Sequence, residues 1–139
     1  MKVMLDLNVL LDVIQHRQPH YADSARVIDT VIRKIIDGTI PAHGVTTLYF
    51  VASKHLPRKE AREMLAWLLQ HFSIEPATRL SFQTALEADF TDYEDAVVHT
   101  LAESAGCDAI ITRNVDDFEQ STIQIFTPTQ FIRHLETLS

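Results

Sequence analysis

Met1-Lys2-Val3-Met4-Leu5-Asp6-Leu7-Asn8-Val9-Leu10-Leu11-Asp12 opens the chain, and its reading decides the rest. Val3, Met4 and Leu5 form a short apolar run that one carboxylate ends. Past Asp6 the apolar residues fall at Leu7, Val9, Leu10, Leu11, Val13 and Ile14, the spacing of a buried helix face. The stretch predicts a buried strand over 2–5, a tight turn at 6–8 and a helix over about 8–17, closed by Pro19. Such a unit opens an α/β fold. It sets Asp6 at the carboxyl end of the first strand, where open parallel sheets bind ligands. A buried carboxylate there is costly unless it is paired, hydrogen-bonded or on a metal. Capping of the helix by Asp6 or Asn8 is the plainer alternative.

The same pattern repeats outward. Val27, Ile28, Val31, Ile32, Ile35 and Ile36 predict a helix over about 20–36, with Gly38 placed to stop it. A short strand follows at 39–42, then helices over 46–55 and 59–72, the second started by Pro57. The third strand is 73–75, ended by Pro76. Helices over 80–88 and 96–105 follow, the latter stopped by Gly106. Residues 107–112, continuously apolar at Ala109-Ile110-Ile111, read as a central parallel strand. A loop over 113–118, a fifth strand at 123–126 and a helix from Pro128 to about Leu135 complete the chain. Strands alternating with helices predict a three-layer α/β/α sandwich around a mostly parallel sheet with right-handed crossovers. His20 and Tyr21 read as local packing at a helix start, and Trp67 as core.

Composition narrows the class. The chain has 139 residues, 46% of them hydrophobic, which is enough for one domain spanning 1–139 with its own core. Nothing reaches the ~18 apolar residues of a membrane span, and no signal-peptide pattern opens the sequence. The single Cys107 has no internal disulfide partner, so the expected compartment is the cytoplasm. A net charge of −7 argues against unaided nucleic-acid binding, which runs on Lys and Arg. It leaves open a nuclease whose carboxylates hold a divalent cation, since the ion reverses the local sign. It also favours a basic partner protein. None of the three glycines builds GxGxxG or a P-loop.

Three acidic clusters stand at comparable places in this topology. Asp6 follows the first strand. Asp92, Glu94 and Asp95 start the helix before the fourth strand, and Asp116 and Asp117 follow that strand. Each cluster has a local explanation, as helix N-terminal acids or turn residues. Together they share one sheet edge, where mutual repulsion raises their pKa values unless a cation neutralises them. Oxygen ligands suit the hard cations Mg²⁺ or Mn²⁺, and no Cys/His set has zinc spacing.

The residues from Met4 to Asp12, then Tyr93-Glu94-Asp95-Ala96-Val97-Val98, then Ala109-Ile110-Ile111-Thr112-Arg113-Asn114-Val115-Asp116-Asp117-Phe118 resemble PIN domains, most of all the VapC-type toxins of toxin–antitoxin pairs. The likeness spans nearly the whole chain. It implies an acidic pocket for Mg²⁺ or Mn²⁺ and ribonuclease activity. By position Asp6 matches the first family acid and Asp95 the third. Asp117, or Asn114, matches the fourth, with Asn8 and Thr112 as the polar residues beside them. The implied metal ligands are Asp6, Asp95 and Asp117, with Asp92 as a further candidate, and Arg113 is a candidate contact for substrate phosphate. His43, His55 and His99 are general-base candidates by residue type alone. The family resemblance also implies a basic antitoxin partner and a homodimer, for which the apolar segments 48–52 and 64–69 are candidate surfaces.

One departure stands out. The family places a Glu in the helix after the second strand, six residues past a Ser or Thr; here that count from Thr46 or Thr47 lands on Ala52 or Ser53. No acid lies between Asp37 and Glu60, and Asp92 or Asp12 are the candidates to compensate. A PIN-like binding module with weakened catalysis is therefore the second reading. A flavodoxin-like domain phosphorylated on Asp is a third, disfavoured because Asp6 has no adjacent acid.

Overall fold

A computed structural model describes residues 1–138. Strand β1 (Lys2–Leu5) leads into helix α1 (Leu7–Ile14) and then α2 (Tyr21–Ile32). Strand β2 (Asp37–Pro41) is followed by α3 (Ala42–Ser53) and α4 (Arg58–His71), and β3 (Ser73–Glu75) by α5 (Arg79–Glu87) and α6 (Tyr93–Ser104). Strand β4 (Ala109–Ile111), a single 3₁₀ turn (Val115–Phe118), β5 (Gln124–Phe126) and α7 (Pro128–Leu138) close the fold. The five strands form one sheet in the order β3-β2-β1-β4-β5, all neighbours parallel.

The central strands are buried on both faces, so the period of two sorts their side chains between two cores. Val3 and Leu5 of β1, with Ala109 and Ile111 of β4, point to the side covered by α1, α2, α3, α4 and α7. Met4 and Ile110 point to the other side, against Val97, Val98 and Leu101 of α6 and Ala85 of α5. The expected three-layer sandwich is what forms. Trp67, expected in the core, is partly buried against the larger cluster.

The strand order sets the functional edge. From β1 the chain winds outward through β2 and β3, then returns to build β4 and β5 on the opposite side. Its direction of winding therefore reverses between β1 and β4, and crevices form where this happens. Leu5 pairs with Ile111 there, so Asp6 and Thr112, the next residue of each strand, emerge side by side.

Several boundaries differ from the periodicity. The second helix ends at Ile32, because Lys34 takes a left-handed conformation (φ 61°) that turns the chain toward β2. Gly38 does not stop that helix. It lies inside β2, where a Cβ would come within 2.8 Å of Val31 and 2.9 Å of the Phe72 ring, so close packing requires the glycine. Helix α3 begins at Ala42 rather than Thr46, directly from the end of β2, and α6 begins at Tyr93 rather than Ala96.

Candidate metal and active site

Asp6 is the N-cap of α1 and also the centre of a buried polar network. Its Oδ1 accepts from the Leu7 N–H at 2.8 Å. Its Oδ2 accepts from the Thr112 hydroxyl at 2.8 Å and more loosely from Asn8 Nδ2 at 3.4 Å. The Thr112 oxygen in turn accepts from the Asn114 N–H at 3.1 Å, and Asn8 Oδ1 accepts from the Arg113 N–H at 3.3 Å. The segment after β4 is thus tied to the turn after β1 through two side chains. Thr112 and Asn8 both donate to the Asp6 carboxylate and so fix its orientation. Asn114 joins through its backbone and caps the 3₁₀ turn, whose Asp117 N–H donates to the Asn114 carbonyl at 3.0 Å.

The second wall is the start of α6. Asp92 is its N-cap, with Oδ1 accepting from the Asp95 N–H at 3.1 Å. This is the local role acids have at helix N-termini, where the macrodipole favours them. It coexists with strong crowding. Asp95 is buried and its pKa is pushed up to about 7, first by burial and then by the charges of Asp6, Asp92, Asp117 and Glu94. Asp6 is raised as well, chiefly by burial, with Glu94 and Asp92 adding to the rise and the bonds from Thr112 and Leu7 opposing it. Five carboxylates from three separate segments therefore share one electrostatic pocket.

Among the described residues no three His, Cys, Asp or Glu side chains stand close enough to enclose an ion as placed. The chemistry of the donor set nevertheless fits one. Carboxylates whose pKa values are raised by burial and then by one another's charge are what a hard divalent cation relieves, with water completing its shell. Asp6 and Asp95 are the inner pair, and Asp92, Glu94 and Asp117 lie exposed at the rim. The sequence places Glu94 in the acidic cluster but does not single it out among the metal ligands. Its contribution depends on α6 starting three residues before its apolar face does.

Helix α3 leaves the edge next to Asp6, since a Cβ on Gly44 would meet Leu7 at 2.4 Å, yet it brings no acid. Ala52 is fully buried, and Ser53 donates to the Tyr49 carbonyl at 2.7 Å. Asp12 does not fill the gap either. It is fully buried, with Oδ2 accepting from Ser24 at 3.1 Å and lying 2.9 Å from Arg113 Nε. Arg113, the candidate phosphate contact, thus already has a buried acid as partner, with about a quarter of its side chain exposed.

The histidines stand apart. His99 is buried beside Phe90. Its Nε2 accepts from the Thr122 N–H at 3.2 Å and its Nδ1 faces Glu103 at 3.3 Å. Burial lowers its pKa against the pull of Glu103, so it is a neutral tether for the loop before β5. His55 meets Gln15, and both ring nitrogens of His43 are buried without a hydrogen-bond partner.

The model of the PIN domain matches residues 2–116, a span that holds the whole pocket except the side of the 3₁₀ turn at Asp117. The chain belongs to the PIN-domain family. Ribonuclease VapC1 of Aquifex aeolicus (strain VF5) is 27% identical over 142 residues, covering 99% of this chain and 97% of that protein. Among solved structures, VapBC2 from Rickettsia felis bound to a promoter DNA fragment superposes with a TM-score of 0.66 at 15% identity, over 91% of this chain and 98% of that one. A toxin–antitoxin complex from Klebsiella pneumoniae gives 0.67 at 17%, over 91% and 97%. VapBC-1 from nontypeable Haemophilus influenzae gives 0.65 at 14%, over 93% and 99%. These structures share the fold of this PIN domain, and the expected family and architecture hold.

Proposed function

We propose that this PIN domain is a metal-dependent endoribonuclease, the toxin of a type II toxin–antitoxin pair. The observation that carries the reading is the electrostatic coupling of Asp6 and Asp95 across the β1–β4 crevice, with Asp117, Asp92 and Glu94 around them. Asp6, Asp95 and Asp117 are the assigned ligands, Asp92 adds to the field, and Mg²⁺ or Mn²⁺ is the ion that suits oxygen donors. A bound ion of this kind activates water and stabilises the leaving oxygen of an in-line displacement at phosphorus. The chain's own work is orientation. Thr112 and Asn8 hold the Asp6 carboxylate, Asn114 holds the turn that presents Asp117, and the free part of the Arg113 guanidinium is assigned to a substrate phosphate.

The net charge of −7 suits a basic antitoxin, and the similar structure from Klebsiella pneumoniae is a toxin–antitoxin complex. Exposed apolar side chains on α3, α4 and α5, among them Phe50, Leu69 and Leu86, are the surfaces assigned to a homodimer. Among the described residues no helix is long and apolar enough to cross a membrane, and the cytoplasm is the proposed compartment. The second reading, a module that binds RNA or protein with weakened catalysis, draws on one observation, the acid-free α3.

Mn²⁺ calorimetry on the wild type beside Asp6→Asn and Asp95→Asn decides between the two. Saturable binding lost in both variants, together with RNA cleavage that follows metal occupancy, is the expected result. Absence of binding at millimolar metal would remove the nuclease reading and leave the module.

A further inference from the structure

Beyond the acidic pocket, one cleft among the described residues gathers a guanidinium and two imidazoles. It measures about 460 Å³ and is lined by Ile14, Gln15, His16, Arg17 and His55, where the end of α1 meets the end of α3. Topology puts it at the same end of the molecule as Asp6. Both α1 and α3 leave the carboxyl edge of the sheet, and the return to the next strand is made by α2 and α4. At 12 and 14 residues these helices span ~18 and ~21 Å, enough to cover the ~16 Å of β2 alone. The segments joining each pair, 15–20 and 54–57, therefore stay on the side of the catalytic edge. Along α1 the cleft is roughly 14 Å from Asp6.

The cleft is built rather than incidental. His16 holds a left-handed backbone (φ 49°), which a side chain rarely adopts without reason, and its ring stacks on Tyr21 at 4.5 Å and 14°. Arg17 has no carboxylate partner among the described residues, as is true of Arg58, Arg62, Arg79 and Arg133, but it alone of these lines a cleft beside two histidines. Gln15 contacts His55 Nε2 through Nε2 at 3.3 Å and keeps its Oε1 buried with no donor. A guanidinium and two imidazoles complement the anionic oxygens of a sugar-phosphate. In a protein of net charge −7 such a site supplies attraction that the acidic pocket cannot.

We propose that this cleft is a phosphate-binding subsite that holds the backbone of the RNA strand a few nucleotides from the scissile bond. The proposal rests on the ribonuclease reading above, and its test separates the two. Inorganic phosphate is titrated into the full-length protein while the side-chain ¹⁵N resonances of His16 and His55 are followed. Saturable shifts of both rings, reduced in Arg17→Gln and restored in Arg17→Lys, are expected. In parallel, a short single-stranded RNA is bound to metal-free protein at several salt concentrations. Arg17→Gln weakens binding about tenfold and lowers the slope of log K against log salt by about 0.7, one phosphate on a single strand. His55→Gln, at an exposed position, gives a smaller loss in the same direction and guards against a folding defect. Rings that ignore phosphate, with RNA binding equal in wild type and variants, would overturn the subsite and leave the ribonuclease intact. Rings that respond while wild type binds no RNA would refute the RNA occupant and the ribonuclease reading together. Tighter binding of an acidic peptide than of RNA would assign the cleft to a protein partner and overturn the proposal.

Discussion

Asp6 and Asp12 lie on the same turn-and-helix unit, and both are buried. Their surroundings could hardly differ more. Asp12 accepts from Ser24 and faces the Arg113 guanidinium at 2.9 Å, so its charge is answered inside the protein. Asp6 has neutral hydrogen-bond donors, Thr112 and the Leu7 N–H, and the charges that reach it are those of Glu94 and Asp92, of its own sign. Burying a charge is tolerated when it is paired. Asp12 meets that condition with residues of the chain and serves the structure, joining α1 to α2 and to the segment after β4. Asp6 does not meet it, and that deficit is what supports its assignment to the proposed metal site. The contrast separates a buried acid that folds the protein from one that works in it.

Removing the answer to Asp12 should break the contrast most. Arg113→Ala leaves a fully buried carboxylate without its cation, a loss of about 3 kcal/mol, at the low end for such pairs because Arg113 is partly exposed. Asp6→Asn removes a repelled charge but leaves one oxygen for the two donors Leu7 and Thr112, so the metal-free protein should lose clearly less stability than Arg113→Ala does. Urea unfolding in the presence of EDTA checks both variants side by side. If Asp6→Asn proved as destabilising as Arg113→Ala, Asp6 would belong to the structural class and the proposed site would lose its centre.

Thr112→Val sharpens the comparison from the other direction. It deletes the 2.8 Å bond that orients Asp6 while preserving shape and backbone. Outer partners of metal ligands are worth about 10–100-fold in affinity or activity. The expected outcome is a weakening of Mn²⁺ binding in that range, with a fold that melts close to wild type. Equal metal affinity in Thr112→Val would show that Asp6 is oriented by its backbone contacts alone.

Much of this was open to sequence reasoning, for identifiable reasons. The strands were legible because β1 and β4 are buried on both faces, which writes Val3-Met4-Leu5 and Ala109-Ile110-Ile111 as unbroken apolar runs. Asp6 was legible because strand ends are where parallel sheets place polar residues, and Thr112 because it occupies the equivalent position one strand over. The start of α6 was less legible, since its first turn is polar and carries no periodicity before Ala96, so Glu94 reads as part of an acidic cluster without a role of its own. Gly38 read as a helix stop because sequence shows a glycine without the Val31 and Phe72 that crowd it. The pairing of Asp12 with Arg113 joins residues near opposite ends of the chain, and no local pattern encodes it. The pairing leaves about a quarter of the Arg113 side chain exposed, the part that stays assigned to a substrate phosphate.

The last expected effect concerns pH and is read as a slope. Asp95 releases its proton near pH 7 in the folded protein, against the ordinary 3.8 once unfolded. Between those values the folded state holds a proton that the unfolded state has lost, so stability falls as pH rises through the window and levels off above it. Asp6 acts in the same direction. His99 acts in the opposite one: its folded pKa is lowered, so protonation below its ordinary 6.5 favours the unfolded chain. The difference between wild type and Asp95→Asn cancels His99 and isolates the pocket. Measured by urea unfolding in EDTA at about pH 5 and about pH 8, wild type should lose stability relative to Asp95→Asn at the higher value. Saturating Mn²⁺ should reverse that trend, because the ion binds the deprotonated pocket and rewards the charge that otherwise strains it. A wild type whose pH slope matches that of Asp95→Asn, with and without metal, would mean that Asp95 titrates like a surface acid and that the pocket is not crowded enough to call for an ion.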